Sequence, residues 1–249
     1  MKKYLTYILL VLFLTAWSQD SNHANKIEME MLFYKGDRLN LHSMIAAENY
    51  LYFSRGIDPL YTSLELDKNL ALAENFNTAL EMYIRRHNIN DYLKISGYWQ
   101  NLRLKLSHTY RKGLARKLDE RLKSMHGLVS RFNHDLLSEY QPDISANRLL
   151  VGKALYATHY LSFLFMAYRI EKDDYFKTLL PITMSDYKEL IEKLKQTRFD
   201  SPEDQKRFEF VAGQMEKLLE NIRKENENPE NIVDLVRIIH NDIWDWYLR

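Results

Sequence analysis

The fold is decided by the stretch RLNLHSMIAAENYLYF, residues 38–53, which returns 110 residues later as RLLVGKALYATHYLSF, residues 148–163. Six positions are identical: Arg38, Leu39, Ala47, Tyr50, Leu51 and Phe53 recur as Arg148, Leu149, Ala157, Tyr160, Leu161 and Phe163. Self-similarity at a fixed offset is the signature of a duplicated structural unit. We therefore expect two related helical units in this chain.

The repeat continues along each half, with the offset rising to 116 and then settling at 114. In the third helix the matches, taken in order, are Tyr92, Ile95, Trp99, Leu102 and Leu106 with Phe208, Val211, Met215, Leu218 and Ile222. In the fourth helix they are Leu118, Leu122, Met125, Val129 and Phe132 with Ile232, Val236, Ile239, Ile243 and Trp246. Any two amphipathic helices share a 3.6-residue period, so single matches carry little weight. Matched segments in the same order favour duplication.

Eight helical segments are predicted from the positions of the few helix-breaking residues. The 249 residues include only 7 glycines and 5 prolines, which favours long helices. The breaks lie at residues 56–59, 113, 142, 173, 201–202 and 228–229. The third helix is expected to begin near a cap at Asn90 and to run to residue 111. Four helices per copy predict an all-α fold of two tandem up-down four-helix bundles, residues 27–141 and 145–249.

The first eighteen residues have the pattern of a secretory signal peptide. Lys2 and Lys3 precede an apolar run over residues 5–17, and Ala16 and Ser18 stand three and one before a cut ahead of Gln19. Cleavage there would give a periplasmic or secreted mature protein. An uncleaved anchor is the alternative, although a spanning helix needs about 20 apolar residues and this run is shorter.

Composition and motif spacing exclude several classes of function. The formal net charge of +1 makes no electrostatic case for nucleic acid, and the absence of cysteine removes disulfides and thiolate chemistry. None of the eight histidines has the helical spacing to a second histidine or a glutamate that metal-binding bundles use. No glycine-rich phosphate loop or nucleophile elbow is present. We therefore predict no catalytic residue, metal site or cofactor, and an enzyme is the least favoured class.

Arg38 is the most informative single residue, because its direction on the first helix places it on the apolar face. A buried guanidinium keeps its charge and needs a partner. One interpretation is an internal carboxylate or a side chain that reaches water; the other is a small oxyanion bound bidentately. His42, one turn further on, would add a donor, and Arg148 is the equivalent residue of the second copy. These three form the predicted ligand site.

Four stretches resemble a known family of sensor domains. They read YLYFSRGIDP at residues 50–59, ELDKNLALAENF at residues 65–76, YWQNL at residues 98–102 and LVSRF at residues 128–132. This pattern is similar to the periplasmic domain shared by type IV pili methyl-accepting chemotaxis transducers and nitrate/nitrite sensor kinases. The resemblance covers about residues 36–139 and, more faintly, the second copy. It implies a four-helix sensor bundle.

The arginine-rich motif of that family is largely replaced in this chain. The family pattern Gly-Arg-Gln-Arg-Met-Leu-Ser-Gln-Arg corresponds to GDRLNLHSM at residues 36–44, where only Gly36, Arg38 and Leu41 answer to it. If family members bind nitrate or nitrite through those arginines, each copy here retains one of them. The resemblance thus implies the fold more strongly than the ligand.

Two functions are expected from these observations. The first is a non-enzymatic, sensor-like bundle of the periplasm that binds a small ligand, an oxyanion among the candidates, or a signalling partner. The alternative is a structural or scaffolding protein of the cell envelope without a small-molecule ligand. The partners considered are a small anion, a membrane sensor or envelope protein, and a second copy of the chain. In the apolar tail, Trp244 is the candidate for an exposed contact.

Overall fold

The computed structural model of the protein is all-α. It describes the backbone of residues 2–142, 144–224 and 227–247, with side chains from Lys26 onward, and no strand occurs in these ranges. The helices are α1 Lys2–Phe53, α2 Pro59–Arg86, α3 Lys94–Leu106, α4 Leu114–Tyr140, α5 Ala146–Glu171, α6 Asp174–Gln196, α7 Pro202–Arg223 and α8 Pro229–Tyr247, with a 3₁₀ turn over Asn90–Leu93. The predicted signal peptide, residues 1–18, lies outside the described side chains.

Helix boundaries follow the capping residues of the second half closely. The Asp173 carboxylate accepts a hydrogen bond from the Tyr175 amide at 2.9 Å and begins α6. The Ser201 hydroxyl accepts one from the Asp204 amide at 3.0 Å and begins α7, where Pro202 occupies the first helical position. These side chains satisfy amide groups that the first turn of a helix leaves without an internal partner.

The third predicted helix differs from the observed one at both ends. The expected cap at Asn90 is wrong, because Asn90–Leu93 forms a 3₁₀ turn and α3 begins at Lys94 without a side-chain cap. The helix ends at Leu106, five residues before the predicted end, and Gly113 adopts a left-handed conformation before α4. The connection between α3 and α4 is therefore longer than the positions of the glycines suggested.

Helices α1 and α5 are the two central helices of the molecule. Helix α1 packs against α2, α4 and α5, and α5 packs against α1, α6 and α8. All side chains from Leu39 to Tyr52 are buried, as are those from Leu161 to Ala167. Of the described helices, only α5 is long and apolar enough to cross a membrane, and 61% of its apolar window is buried inside the protein. The burial of most of this window accounts for the apolar composition of α5.

The two central helices run parallel to each other. Three contacts show this, because both residue numbers increase together: Arg148 with Tyr34, His159 with Glu48, and Ser162 with Tyr52. Helix α4 packs on α1 and α3, while α7 packs on α6 and α8. The result is two sets of four helices, α1–α4 and α5–α8, joined along α1 and α5.

Burial follows the register of the repeat at most positions. Trp99 and its counterpart Met215 are both fully buried, and so are Leu118 and Ile232. Phe53 breaks the pattern, since it is 45% exposed whereas Phe163 is fully buried. Trp244, the candidate for an exposed contact, is half-buried, and its ring packs against those of His42, His240 and Tyr247. The tail of the chain thus completes the core.

Candidate ligand-binding cavity

A cavity of about 720 Å³ lies between α1, α4, α5 and α6. Its wall combines residues from both sets of helices, and Tyr247 of α8 closes one end. The lining residues are Phe33, Asp37, Asn40, Leu41, His126, Ser130, Asn133, His134, Leu137, Leu149, Gly152, Lys153, Tyr156, Ala157, Tyr160, Thr183, Asp186, Tyr187, Glu189, Leu190, Lys193 and Tyr247. Its volume lies within the range of small-molecule sites, roughly 300 to 1,000 Å³.

Close packing of α4 on α1 fixes the polar part of the cavity wall. A Cβ at Gly36 would lie 2.8 Å from Asn133 Oδ1 and 3.0 Å from Val129 Cγ1, so a larger residue would force these two side chains to move. The Asn133 amide nitrogen then donates to the Asp37 carboxylate at 3.0 Å and to the Phe33 carbonyl at 3.3 Å. The orientation of Asp37 is therefore set by a side chain 96 residues away.

Asp37 and Asn40 stand one helical turn apart on the cavity wall formed by α1. Burial raises the pKa of the Asp37 carboxyl to about 7, against opposing effects of the Asn133 hydrogen bond and the Lys153 ammonium. Asn40 is 4% exposed, and its Oδ1 has no hydrogen-bond partner among the described residues. Lys153, on α5, forms no ion pair within the described part of the chain. Asn40 Oδ1 is covered by protein atoms, so the polar groups of this part of the wall that can meet a ligand are those of Asp37 and Lys153.

Aromatic rings with fixed orientations form much of the remaining wall. Tyr156 stacks on His126 with 4.7 Å between ring centroids and on Tyr160 at 6.1 Å. The Tyr160 hydroxyl donates to the Asp119 carboxylate at 2.9 Å, and the Tyr187 hydroxyl bonds the Thr158 hydroxyl at 2.8 Å. Because these two hydroxyls already have protein partners, Tyr160 and Tyr187 offer the cavity mainly their rings.

The residues predicted as a ligand site lie outside this cavity. Arg148 donates from Nε to the Tyr247 carbonyl at 3.2 Å, and its guanidinium carbon lies 4.2 Å from the centroid of the Tyr34 ring. The guanidinium carbon of Arg38 lies 5.9 Å from the centroid of the Phe76 ring, and the buried Nε of Arg38 has no hydrogen-bond partner among the described residues. Arg148 is therefore satisfied internally, whereas Arg38 is only partly so.

His42 does not supply the free donor that was expected of it. The Asn69 amide nitrogen donates to the Glu65 carbonyl at 2.7 Å and to its carboxylate at 3.1 Å, which turns Asn69 Oδ1 toward His42. The His42 Nδ1–H therefore donates to that oxygen at 2.6 Å, and the other ring nitrogen is an acceptor. Burial lowers the pKa of His42 to about 4, so the ring is neutral at pH 7.

A second polar group that sequence reasoning missed is a buried chain from Glu48 through His159 to His240. His159 Nδ1 lies 2.5 Å from the Glu48 carboxylate, and its Nε2 lies 3.0 Å from His240 Nδ1. Burial lowers the pKa of His240 well below its ordinary value. The three residues stand on α1, α5 and α8, so no local spacing could have revealed them. A space of about 20 Å³ adjoins them, room for one water molecule.

Comparison with protein-family models, with curated proteins and with solved structures found no match to this chain. The resemblance to chemotaxis transducers and nitrate sensors therefore stays a prediction from the quoted motifs. Among the described residues, no group of three or more histidine, aspartate or glutamate side chains is arranged to hold a metal ion. The function is therefore inferred from the residues of the cavity.

Replacing Asp37 by asparagine should change how stability depends on pH. Because the folded-state pKa is about 7, above the ordinary value of 3.8, the stabilising contribution of this carboxyl is complete below about pH 3.8 and is lost as the pH rises through 7. Asparagine cannot ionise, so between pH 5 and pH 8 the Asp37→Asn protein should gain about 2 kcal/mol relative to the unchanged protein. Urea unfolding followed by circular dichroism at both pH values measures this difference.

The matched control is Asp67→Asn, which alters an exposed carboxylate on α2. Its unfolding free energy should follow that of the unchanged protein at both pH values. Parallel pH profiles for the unchanged protein and Asp37→Asn would show that the cavity carboxyl has an ordinary environment.

Proposed function

We propose that this protein is a non-enzymatic, sensor-like helical protein of the periplasm that binds a small organic ligand in the cavity between α1, α4, α5 and α6. The observation that carries the proposal is the cavity itself, about 720 Å³ in volume, with aromatic walls and a few buried polar groups. Small-molecule sites have this composition, in which apolar surface supplies affinity and a few polar groups set orientation.

The position of the cavity supports a relay of ligand occupancy. Its wall takes residues from α1 and α4 on one side and from α5 and α6 on the other, so a bound ligand would touch both sets of helices. A ligand that binds one arrangement of the two sets more tightly shifts the equilibrium toward that arrangement. A partner protein in the envelope could then read the relative position of α1 and α5.

The predicted arginines support ligand binding less strongly than the cavity does. Arg148 already binds the Tyr247 carbonyl, and His42 already donates to Asn69, which leaves Arg38 as the predicted residue with an unpartnered donor. An oxyanion site needs several convergent donors. Nitrate and nitrite therefore belong in a ligand screen, but the cavity sets the class of ligand that we favour.

A thermal-shift screen of the purified protein tests the proposal. A ligand that binds only the folded state at a hundred times its dissociation constant stabilises the protein by about 2.7 kcal/mol, which shifts Tm by several degrees. The panel should contain nitrate, nitrite, carboxylic acids, amines and neutral aromatic compounds. At least one organic compound is expected to raise Tm.

A cavity-filling variant identifies the site of any compound that binds. Ala157→Phe places a ring in the cavity wall, whereas Ala71→Phe makes the same change on the exposed side of α2. The shift should disappear in the first variant and persist in the second. Absence of any shift, or a shift that survives Ala157→Phe, would contradict the proposal and favour a scaffolding protein.

A further inference from the structure

The acceptor that α1 offers to the cavity is the Asp37 carboxylate. It accepts one hydrogen bond, from Asn133, although a carboxylate has about four acceptor positions. Asn40, one turn further on, also lines the cavity, but its Oδ1 is covered by protein atoms. A ligand that brings an N–H donor to the Asp37 carboxylate uses an acceptor position that the protein leaves open.

The charged groups of the cavity differ in how firmly they are placed. Lys153 and Lys193 are exposed and can extend their ammonium groups into water, as can the carboxylates of Asp186 and Glu189 at the mouth. His126, the histidine stacked on Tyr156, has its pKa lowered by burial, so it stays neutral. The Lys153 ammonium acts on Asp37 from the exposed side of the cavity, and among the buried groups of the wall the Asp37 carboxyl is the one that can carry a negative charge.

The rings around Asp37 favour a cation with an apolar body. Phe33, Tyr156 and Tyr247 line the cavity together with Asp37, and aromatic faces attract ammonium groups through their quadrupole. The Tyr247 ring packs tightly on α5, because a Cβ at Gly152 would lie 3.0 Å from its Cε2 atom. An aromatic or alkyl group can fill the remaining space by replacing water against these rings.

We propose that the cavity binds compounds carrying a protonated amine on an apolar body, with the ammonium group held by the Asp37 carboxylate. This inference rests on the proposed function, since it names the ligand class for the same cavity. It adds a requirement that the screen alone does not make, namely a positive charge on the ligand.

Binding of an ammonium group should release a proton near neutral pH. The bound cation requires an ionised Asp37, whereas the free carboxyl has a pKa of about 7. The groups that bear on Asp37 are Lys153 from α5, Asn133 from α4 and the hydroxyl of Tyr247 from α8, and the exposed charges of α6 stand at the mouth. Affinity should therefore be about tenfold lower at pH 6 than at pH 8.

Isothermal titration calorimetry of the purified protein with three probes tests this inference. The probes are 2-phenylethylamine, the neutral 2-phenylethanol and the anionic 3-phenylpropanoate, which share a phenyl group and differ in charge. The amine should bind at least tenfold more tightly than either of the others at pH 8. Titration at pH 6 in two buffers of different ionisation enthalpy should show release of about one proton.

Variants separate the role of the carboxylate from general effects on the cavity. Asp37→Asn should weaken amine binding at least tenfold at pH 8 and remove the pH dependence. Asp67→Asn, the surface control, should change neither. Equal binding of the alcohol and the amine, or unchanged amine affinity in Asp37→Asn, would overturn the inference.

The two proposals fail in different ways. In one outcome, 2-phenylethylamine and the other amines of the screen do not bind at millimolar concentration, while another compound binds and loses its binding in Ala157→Phe. The amine inference is then wrong, and the cavity remains a binding site. If no compound of the screen binds at all, the proposed function is wrong and the amine inference falls with it.

Discussion

Replacing Asp119 by alanine is expected to lower the free energy of unfolding by about 4 kcal/mol. The Asp119 carboxylate is fully buried and accepts hydrogen bonds from the hydroxyls of Tyr160 and Tyr175, on α5 and α6. Its other partner is the Lys123 ammonium at 2.9 Å, one turn along α4. Alanine leaves two tyrosine hydroxyls without an acceptor and removes a link between the two sets of helices.

Chemical denaturation followed by circular dichroism at 222 nm gives this number directly. Glu120→Ala is a suitable control, since it breaks an exposed pair with Arg116 on the same helix and should cost below about 0.5 kcal/mol. Asp119→Asn, which keeps the shape and one acceptor, should fall between the two. Equal losses for Asp119→Ala and Glu120→Ala would show that the buried carboxylate adds nothing to stability.

The second large effect is expected from Glu48→Ala, about 3 kcal/mol of lost stability. The side chains of Glu48 and His159 are 4% and 5% exposed, and the carboxylate accepts the only hydrogen bond between them, from Nδ1 of the imidazole. Without the carboxylate, His159 faces His240, whose lowered pKa keeps that ring neutral, and has no acidic partner. A polar ring is then left buried at the junction of α1 and α5.

A double-mutant cycle of Glu48→Ala with His159→Ala separates this interaction from the loss of packing. The coupling free energy should be at least about 1 kcal/mol, because each single change strands the other partner. Glu48→Gln retains an acceptor for Nδ1–H and should lose about half as much stability as Glu48→Ala. Strict additivity of the two alanine changes would mean that the pair contributes no net stabilisation.

Much of the fold could be predicted because the relevant signals are local. Pro59, Pro202 and Pro229 stand at the first helical position of α2, α7 and α8, where their missing N–H costs nothing. Trp99 and Leu118 are buried as their helical spacing predicts. The buried face of α1 is harder to predict, since the side chains from Leu39 to Tyr52 are buried on all sides and the apolar face has no clear edge.

The candidate site could not be predicted in the same way, because its members meet only after the helices pack. In the sequence Asp37 has no feature that distinguishes it from other acidic residues. The residues adjacent to it in the sequence do not indicate that Asn133 or Lys153 lies close to it in the structure. The prediction did place Arg38 on the inner side of α1, where it lies over Phe76. What it could not show is that a carboxylate, one residue away, faces the larger cavity.

The repeat relates the large cavity to a second position in the molecule. The register of the repeat pairs α1 with α5 and α4 with α8, so the space between α1, α4, α5 and α6 has a counterpart between α5, α8, α1 and α2. In that counterpart, His240 stands at the position equivalent to His126 of the open cavity. Position 130 carries serine in the open cavity, and its equivalent Trp244 is a large ring packed among histidines.

If the two halves descend from one duplicated unit, the ancestral pair of identical chains had two equal cavities by symmetry. A substitution in that pair would have changed both cavities at once, whereas joining the copies in one chain allowed them to diverge. Here one position is filled by aromatic side chains and the other is open, so under the proposed function one chain would bind one ligand. Duplication would then have replaced a symmetric pair of chains with two cavities by an asymmetric chain with one.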